Sequence, residues 1–474
     1  MSRPQRKVAV EVAVDLVELI ERIEGLLEDA ERLPDARRLE QTVHERMKEI
    51  DRAMMEVCVV RKAKQAAESD IREVRCPQCR KGWAVRRASD AERYAVTVRG
   101  RVDFRRPVYR CTERSCQRER APFDEELGLE GKEHLTPLVQ QKAVWAGAML
   151  GSYEKAEEDM VHQVELPVSA KEIHRLAEKI GGRAMALQDE EVRERGCPVS
   201  LDQPPAAVEE KPETVVLELD GTCVMGRDGE GHEVKCGTVF GLDARATTGS
   251  EGKERAVLLR RCYCATSRGI QAFRAMTWAM AVWWGVRTAL RIVIVGDGSD
   301  WIWNLSRDRF YFVLASGKVQ QPIEILDFYH AAENLGKARD AIFRDSEGPF
   351  AKQWYETWRG QIREGKVEAL IQELERRRRT ARGETQRTEM RLRAEYFRTN
   401  RHRMNYPEYE AQGLPIGSGA IEGTCKNLIK GRMDWVGQRW DADEGIERMV
   451  ALRVRLFNHR FEDLWPSVEY QEAA

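Results

Sequence analysis

The chain has 474 residues, and its 78 Lys and Arg nearly balance its 79 Asp and Glu, a formal net charge of -1 that excludes a uniformly basic or acidic protein. With 42% hydrophobic and 33% charged residues it carries enough apolar material for packed cores, which excludes wholesale disorder, and its length suggests about three domains. The most apolar stretch, Ala275 to Val286, is bracketed by Arg274 and Arg287 and falls well short of the roughly 20 residues a bilayer demands. It is read as a core helix, no membrane partner is expected, and the missing charged-then-apolar opening makes the cytoplasm the expected address.

In chain order, residues 1–70 read as a helical hairpin. Leu16, Leu19, Ile20, Ile23 and Leu27 recur at helical spacing, Pro34-Asp35 breaks the run, and Leu39, Val43, Met47, Ile50 and Met54 resume it. Charge then becomes polar along the chain: residues 71–120 hold 15 Lys/Arg against 6 Asp/Glu, whereas 121–210 hold 9 against 19. Only the first is a surface for a polyanion. The same basic stretch contains four of the 11 cysteines in two pairs, Cys76 with Cys79 and Cys111 with Cys116. Two such pairs complete a tetrahedral four-thiolate set, so residues 71–125 are expected to form a zinc-ribbon-like DNA-binding segment around a structural Zn²⁺. Trp83, Tyr94, Phe104 and Tyr109 alternate there with arginines, and Arg105, Arg106 and Arg110 are the expected phosphate contacts. Residues 126–204 read as helical. Tyr153 to Gln163, the turn Leu166-Pro167-Val168 and Ser169 to Ile180 are shaped like a helix-turn-helix.

After a linker at Leu201 to Lys211 the pattern changes. Val215–Leu219, Glu233–Leu242 and Ala256–Cys264 read as three antiparallel strands, and a helix from Gly269 leads to the apolar run Ile292–Val295, a buried parallel strand. A fifth strand at Ile323–Leu326 precedes another helix. That order is the ribonuclease H-like one: an α/β core with a mixed five-stranded sheet. It is assigned to residues 205–335 and 411–474, split by a polar helical insertion at 336–410 whose run Arg376-Arg377-Arg378-Arg379 is read as a solvated helix face.

Three carboxylates each close an apolar element in a Gly-bearing context: Asp220 in LELDGT, Asp297 in VIVGDGS and Glu422 in IGSGAIEGTCK. In a ribonuclease H-like sheet the first and fourth strands are neighbours, so Asp220 and Asp297 are expected side by side with Glu422 one turn into an adjacent helix. Such hard oxygens suit two Mg²⁺ ions, with Mn²⁺ as the alternative, for in-line phosphodiester displacement.

The segments DGT at Asp220, GDGSDWIWNL at Asp297, LDFYHAAENL at Asp327 and PIGSGAIEGTCKNLIKGRMDWVGQRW at Glu422 closely resemble the DDE transposases of bacterial insertion sequences, specifically the ISKra-four group. The resemblance implies a transposase that cuts and joins double-stranded DNA at the terminal inverted repeats of its own element and at target DNA, as a homo-oligomer on the bacterial nucleoid. It implies Asp220, Asp297 and Glu422 as the metal triad, a catalytic contribution from Asp327 and His330, and DNA-facing roles for Lys426, Arg432 and Arg439. The competing expectations are a transposase-derived DNA-binding protein without catalysis and a structure-selective nuclease on the same fold.

Overall fold

The computed structural model describes residues 24–25, 35–76, 78–196, 212–242, 245–248, 255–258, 261–313, 319–442 and 444–465. The first arm of the expected hairpin, save Glu24 and Gly25, and the whole of the expected linker lie outside the described residues. The chain divides into two compact units, one of Met1–Gly147 and Tyr153–Leu176, the other of Ala148–Ser152 and Ala177–Ala474. Among the described residues no helix is long and apolar enough to cross a membrane.

In the first unit a helix spans Ala36–Glu68, capped by Asp35, whose Oδ1 accepts from the Arg38 N–H at 2.9 Å. Six strands follow: β1 (Glu73–Arg75), β2 (Trp83–Arg86), β3 (Ala91–Thr97), β4 (Gly100–Arg106), β5 (Tyr109–Cys111) and β6 (Glu119–Arg120). They make two separate structures, an antiparallel β1-β2-β5-β6 sheet and a β3–β4 hairpin. The hairpin buries Ala95, Val102 and Phe104 against Val59 and Ala63 of the long helix, with Phe123 and Leu129 closing the cluster. The helices Tyr153–Gln163 and Ala170–Gly196 occupy the stretch read as helix-turn-helix.

The second unit is built on β7 (Thr214–Met225), β8 (Gly231–Gly241), the ribbon β9 (Arg245–Thr248) with β10 (Arg255–Leu258), β11 (Cys262–Thr266), β12 (Arg291–Gly296), the ribbon β13 (Phe312–Val313) with β14 (Val319–Gln320), and β15 (Ile323–Leu326). Five of these form one mixed sheet in the order β11-β8-β7-β12-β15. The pairs β11–β8 and β8–β7 are antiparallel, and β7–β12 and β12–β15 are parallel. Val215, Val216, Leu217 and Ile292 to Val295 are fully buried, as strands covered on both faces must be. Two expectations are corrected. The third strand is Cys262–Thr266, because Arg255–Leu258 pairs instead with Arg245–Thr248. Asp220 does not close its strand, since β7 runs on to Met225 in an 11-pair ladder with β8.

The helices Phe328–Ile342, Pro349–Arg363, Val367–Thr380 and Glu384–Asn400 fill the stretch after β15. They are no separate lobe. Ile362, Leu370, Leu374, Ala394 and Phe397 belong to the same apolar cluster as β7 and β12. The four-arginine run is a helix face laced to Glu373 and Glu375 by i,i+3 and i,i+4 pairs. Phe397 is fully buried, so Phe397→Ala is expected to cost about 3–5 kcal/mol. Hydrogen exchange should then accelerate in β12 as well as in the helices; loss of protection confined to the helices would make them an independent lobe.

Candidate functional site

The parallel register of β12 on β7 places Gly296 opposite Leu219, so the next residues, Asp297 and Asp220, stand at equivalent positions where β12 ends. Asp297 turns the chain there. Its two oxygens accept from the Ser299 N–H at 2.8 Å and the Ser299 hydroxyl at 3.0 Å, and its carbonyl accepts from the Tyr396 hydroxyl at 2.9 Å. Gly298 follows at φ +100°, where an added Cβ would lie 2.9 Å from the Tyr396 ring, so both conformation and space require glycine. Asp220 accepts from the Gly221 N–H at 2.7 Å and faces the Cys425 thiol at 3.9 Å. Burial pushes its carboxyl above the usual range, and the negative charge of Asp297 pushes the same way; the Gly221 N–H, His330 and Cys425 oppose the rise.

Glu422 lies exposed on the short helix Gly419–Thr424. That helix is tied to the sheet beside Asp220: the Ile421 N–H donates to buried Glu218 at 3.0 Å, and the Thr424 and Thr238 hydroxyls bond at 2.7 Å. Glu218 and Thr238 are themselves a β7–β8 pair. After Thr424 the helix widens into a π-helical stretch, Cys425–Lys430, a distortion that recurs at functional sites. Among the described residues, the one group of three or more potential ligands whose donor atoms all lie within 4.8 Å of one another consists of cysteines. Asp220, Asp297 and Glu422 therefore form no closed set. Asp220 and Asp297 are adjacent by strand register, and the charge of Asp297 bears on Asp220.

Asp327 and His330 separate in role. Asp327 is 2% exposed; Oδ1 caps the Phe328–Ile342 helix by accepting from the Tyr329 and His330 N–H groups, and Oδ2 accepts from the Ser418 N–H at 2.8 Å and from the Ser418 hydroxyl. Four donors thus engage its two oxygens. It holds the Pro415–Gly419 loop that starts the Glu422 helix. His330 is half-buried, with Nδ1 3.6 Å from Glu333. Sequence reading missed Tyr396 and Cys425, which approach the acids from distant parts of the chain, and Glu218, two residues before Asp220 on β7. It also missed Lys235, buried opposite Gly221 with its ammonium 2.6 Å from Glu233 and 4.4 Å from the Trp301 ring. Only the unusual burial of their polar atoms marks them, and sequence does not report burial.

The cysteines do form a closed set. Cys76 and Cys116, and Cys79 and Cys111, place their Sγ atoms 3.8 Å apart, and all four could hold a metal ion. A tetrahedral ion with sulfur ligands at about 2.3 Å needs sulfurs about 3.8 Å apart, so the set suits zinc. Each pair is followed by a left-handed residue, Arg80 at φ 56° and Gln117 at φ 44°. The wider Cys111–Cys116 spacing fits because its turn begins later, with the Cys116 N–H donating to the Glu113 carbonyl at 3.0 Å. The Gly82 and Lys81 N–H groups lower the Cys79 thiol to about 7, while burial raises Cys111 to about 12. Gly82 packs so closely that a Cβ would lie 3.1 Å from the Cys111 sulfur.

The expected DNA contacts divide. Arg105, Arg110, Lys426 and Arg439 are exposed. Arg106 is not available: it is 8% exposed and makes a two-pronged pair with Asp124 at 2.8 and 2.9 Å. Arg432 is 1% exposed, its guanidinium over the buried Trp440 ring and an Nη donating to the Gly151 carbonyl. Both are corrections, because pairing and packing have taken up these guanidinium groups. The basic excess is also partitioned. On the hairpin Arg93, Arg99, Arg101 and Arg106 are ion-paired. On the four-stranded sheet and its knuckles, Arg72, Arg75, Arg80, Lys81, Arg110, Arg114 and Arg118 are exposed and make no ion pair among the described residues.

Residues 30–472 match the model of an uncharacterised protein family, UPF0236, and the chain belongs to that family. A comparison with curated proteins finds no match.

Two predictions follow from this geometry. Cys76→Ser and Cys111→Ser should each abolish binding of one equivalent of zinc and unfold the β1-β2-β5-β6 sheet, checked by metal analysis and hydrogen exchange; a folded, zinc-free wild-type sheet would contradict it. Because the folded-state pKa of Asp220 stands above the unfolded one, the folded chain holds that proton more tightly and stability declines as pH rises through the interval between them. Asp220→Asn should therefore raise the unfolding temperature at pH 7 by about 1–3 °C, with the gain vanishing below about pH 4.

Proposed function

We propose that this member of UPF0236 is a transposase that cuts and joins DNA at the ends of its own insertion sequence. The observation that carries the reading is the β7–β12 register, which sets Asp220 beside Asp297 at the sheet position expected of the first two members of an Asp-Asp-Glu triad. The sheet order, three antiparallel strands followed by two parallel ones, supports a ribonuclease H-like core. The four-cysteine cluster supports a zinc-ribbon-like segment before it.

In this reading Asp220, Asp297 and Glu422 hold Mg²⁺ or Mn²⁺, and bound ions supply the positive charge that activates an attacking oxygen and steadies a leaving one. The chain's own residues do the rest. The Gly221 N–H and Ser299 fix the two Asp carboxylates, and Asp327 and Glu218 hold the start of the helix that carries Glu422. His330 keeps Nδ1 toward Glu333, which leaves Nε2 for a phosphate oxygen. Arg105, Arg110, Lys426 and Arg439 contact double-stranded DNA at element ends and target, on which the protein works as a homo-oligomer in the bacterial cytoplasm. A second reading, a DNA-binding protein without catalysis, draws support from one observation: Asp220, Asp297 and Glu422 do not bring ligand atoms all within 4.8 Å of one another.

The test uses isosteric substitutions. Glu422→Gln and Asp297→Asn should lower Mg²⁺-dependent cleavage of an element-end duplex about a hundredfold or more, with affinity for the duplex kept within about threefold because removing negative charge near phosphates does not weaken binding. Mg²⁺ should raise the unfolding temperature of the wild type and not of Asp220→Asn. A wild-type chain that binds the duplex yet never cleaves it in Mg²⁺ or Mn²⁺ would favour the second reading.

A further inference from the structure

We propose that the outward face of the β1-β2-β5-β6 sheet is a docking surface for single-stranded DNA, with Trp83 as the platform on which a base stacks. The pairing register defines that face. Arg75 pairs with Trp83 and Glu73 with Val85 across β1–β2, and Val85 pairs with Arg110 across β2–β5. Antiparallel partners point to the same side of a sheet and their sequence neighbours to the other. Ala84, Tyr109 and Cys111 accordingly lie inward, each no more than 3% exposed, while Trp83 and Val85 are 46% and 43% exposed. Of the four aromatic residues interleaved with arginines, Phe104 and Tyr109 are buried and Tyr94 is stacked on His134 at 4.1 Å. Trp83 is the exposed ring of the four, with the Arg75 guanidinium over it at 5.5 Å from its centroid.

Charge selects the occupant. Among the described residues Arg75 and Arg110 make no ion pair and join the similarly unpaired cations of the two knuckles, whereas Glu119 is paired with Arg87 at 3.1 Å. Arg75, Arg110 and the knuckle cations outnumber Glu73, the carboxylate of this face that is unpaired among the described residues, so a second copy laid face to face would bring like net charge together. A polyanion with planar rings fits both features. Base faces are hidden inside a duplex and open in a single strand, and an aromatic ring beside cations on a flat sheet suits the open form. The inference rests on the reading above only for the nature of the polyanion: strand cutting and joining produces unpaired ends.

The experiment uses the full-length, zinc-loaded chain with a labelled thymidine oligonucleotide of about 15 nucleotides and a duplex of the same length, read by fluorescence anisotropy over a salt series. Trp83→Ala should weaken single-strand binding about tenfold or more and change duplex binding by less than about twofold, whereas Trp83→Phe, which keeps a ring, should retain most of it. Arg75→Ser combined with Arg110→Ser should flatten the single-strand salt slope by about 1.4. Unchanged single-strand affinity in Trp83→Ala with zinc retained, or equal loss on strand and duplex, overturns the inference. A wild type that cleaves and binds duplex but not the single strand overturns it while the transposase reading stands; Trp83-dependent single-strand binding in a chain that never cleaves sustains it without that reading.

Discussion

Two carboxylates forced together at the end of a parallel strand pair are the constraint around which the second unit is arranged. The register of β12 on β7 leaves Asp220 and Asp297 no choice but adjacency, and burial makes the charge on Asp220 costly. Much of what surrounds them offsets that cost with directed dipoles and positive charge. The Gly221 and Ser299 N–H groups donate to the oxygens, and the charge of His330 bears on Asp220. A fold selected only for stability would have replaced such a pair with apolar side chains, so its presence is the strongest physical sign of a working site.

The polar helical stretch after β15 serves this pair from a distance. Tyr396 reaches from the Glu384–Asn400 helix to the Asp297 carbonyl, and burial together with the charges of Asp297, Asp327 and Glu333 pushes its phenol up, which keeps it a hydrogen-bond donor. Tyr406 donates to the Leu326 carbonyl at 3.0 Å, and Arg403 pairs with Glu324 at 2.7 Å over the Trp303 ring. These contacts fix the end of β15, from which Asp327 clamps the loop leading to Glu422. A region that reads as an insertion is thus part of the support of the site.

In the first unit the organising interaction is the convergence of four thiol groups, which joins two turns and two strand ends that could not pack on each other by apolar area alone, because the sheet they hold is small and open on one face. Once the sheet is held, the surplus of arginines divides into those spent on internal pairs and those left outward. Counting charges along the chain cannot make that division.

Sequence patterns were enough to determine the strands β7, β12 and β15, the helices around them and both cysteine pairs. Continuous apolar runs, strand-ending Gly-Asp steps and knuckle spacing are local consequences of backbone geometry. They were also enough to pick out Asp297 as an acid just past a strand end, whereas Asp220 lies within β7 and Glu422 within the Gly419–Thr424 helix. Tertiary structure alone decided how these groups are used. It assigned Asp327 to capping, Arg106 to Asp124 and Arg432 to a Trp440 face, and brought Tyr396 to the Asp297 carbonyl and the Ile421 N–H to Glu218. The reason is physical: periodicity fixes which face a residue occupies, whereas burial, charge pairing and hydrogen-bond partners depend on chain segments far away in sequence, 203 residues in the Glu218–Ile421 bond and 281 in the Arg432–Gly151 bond.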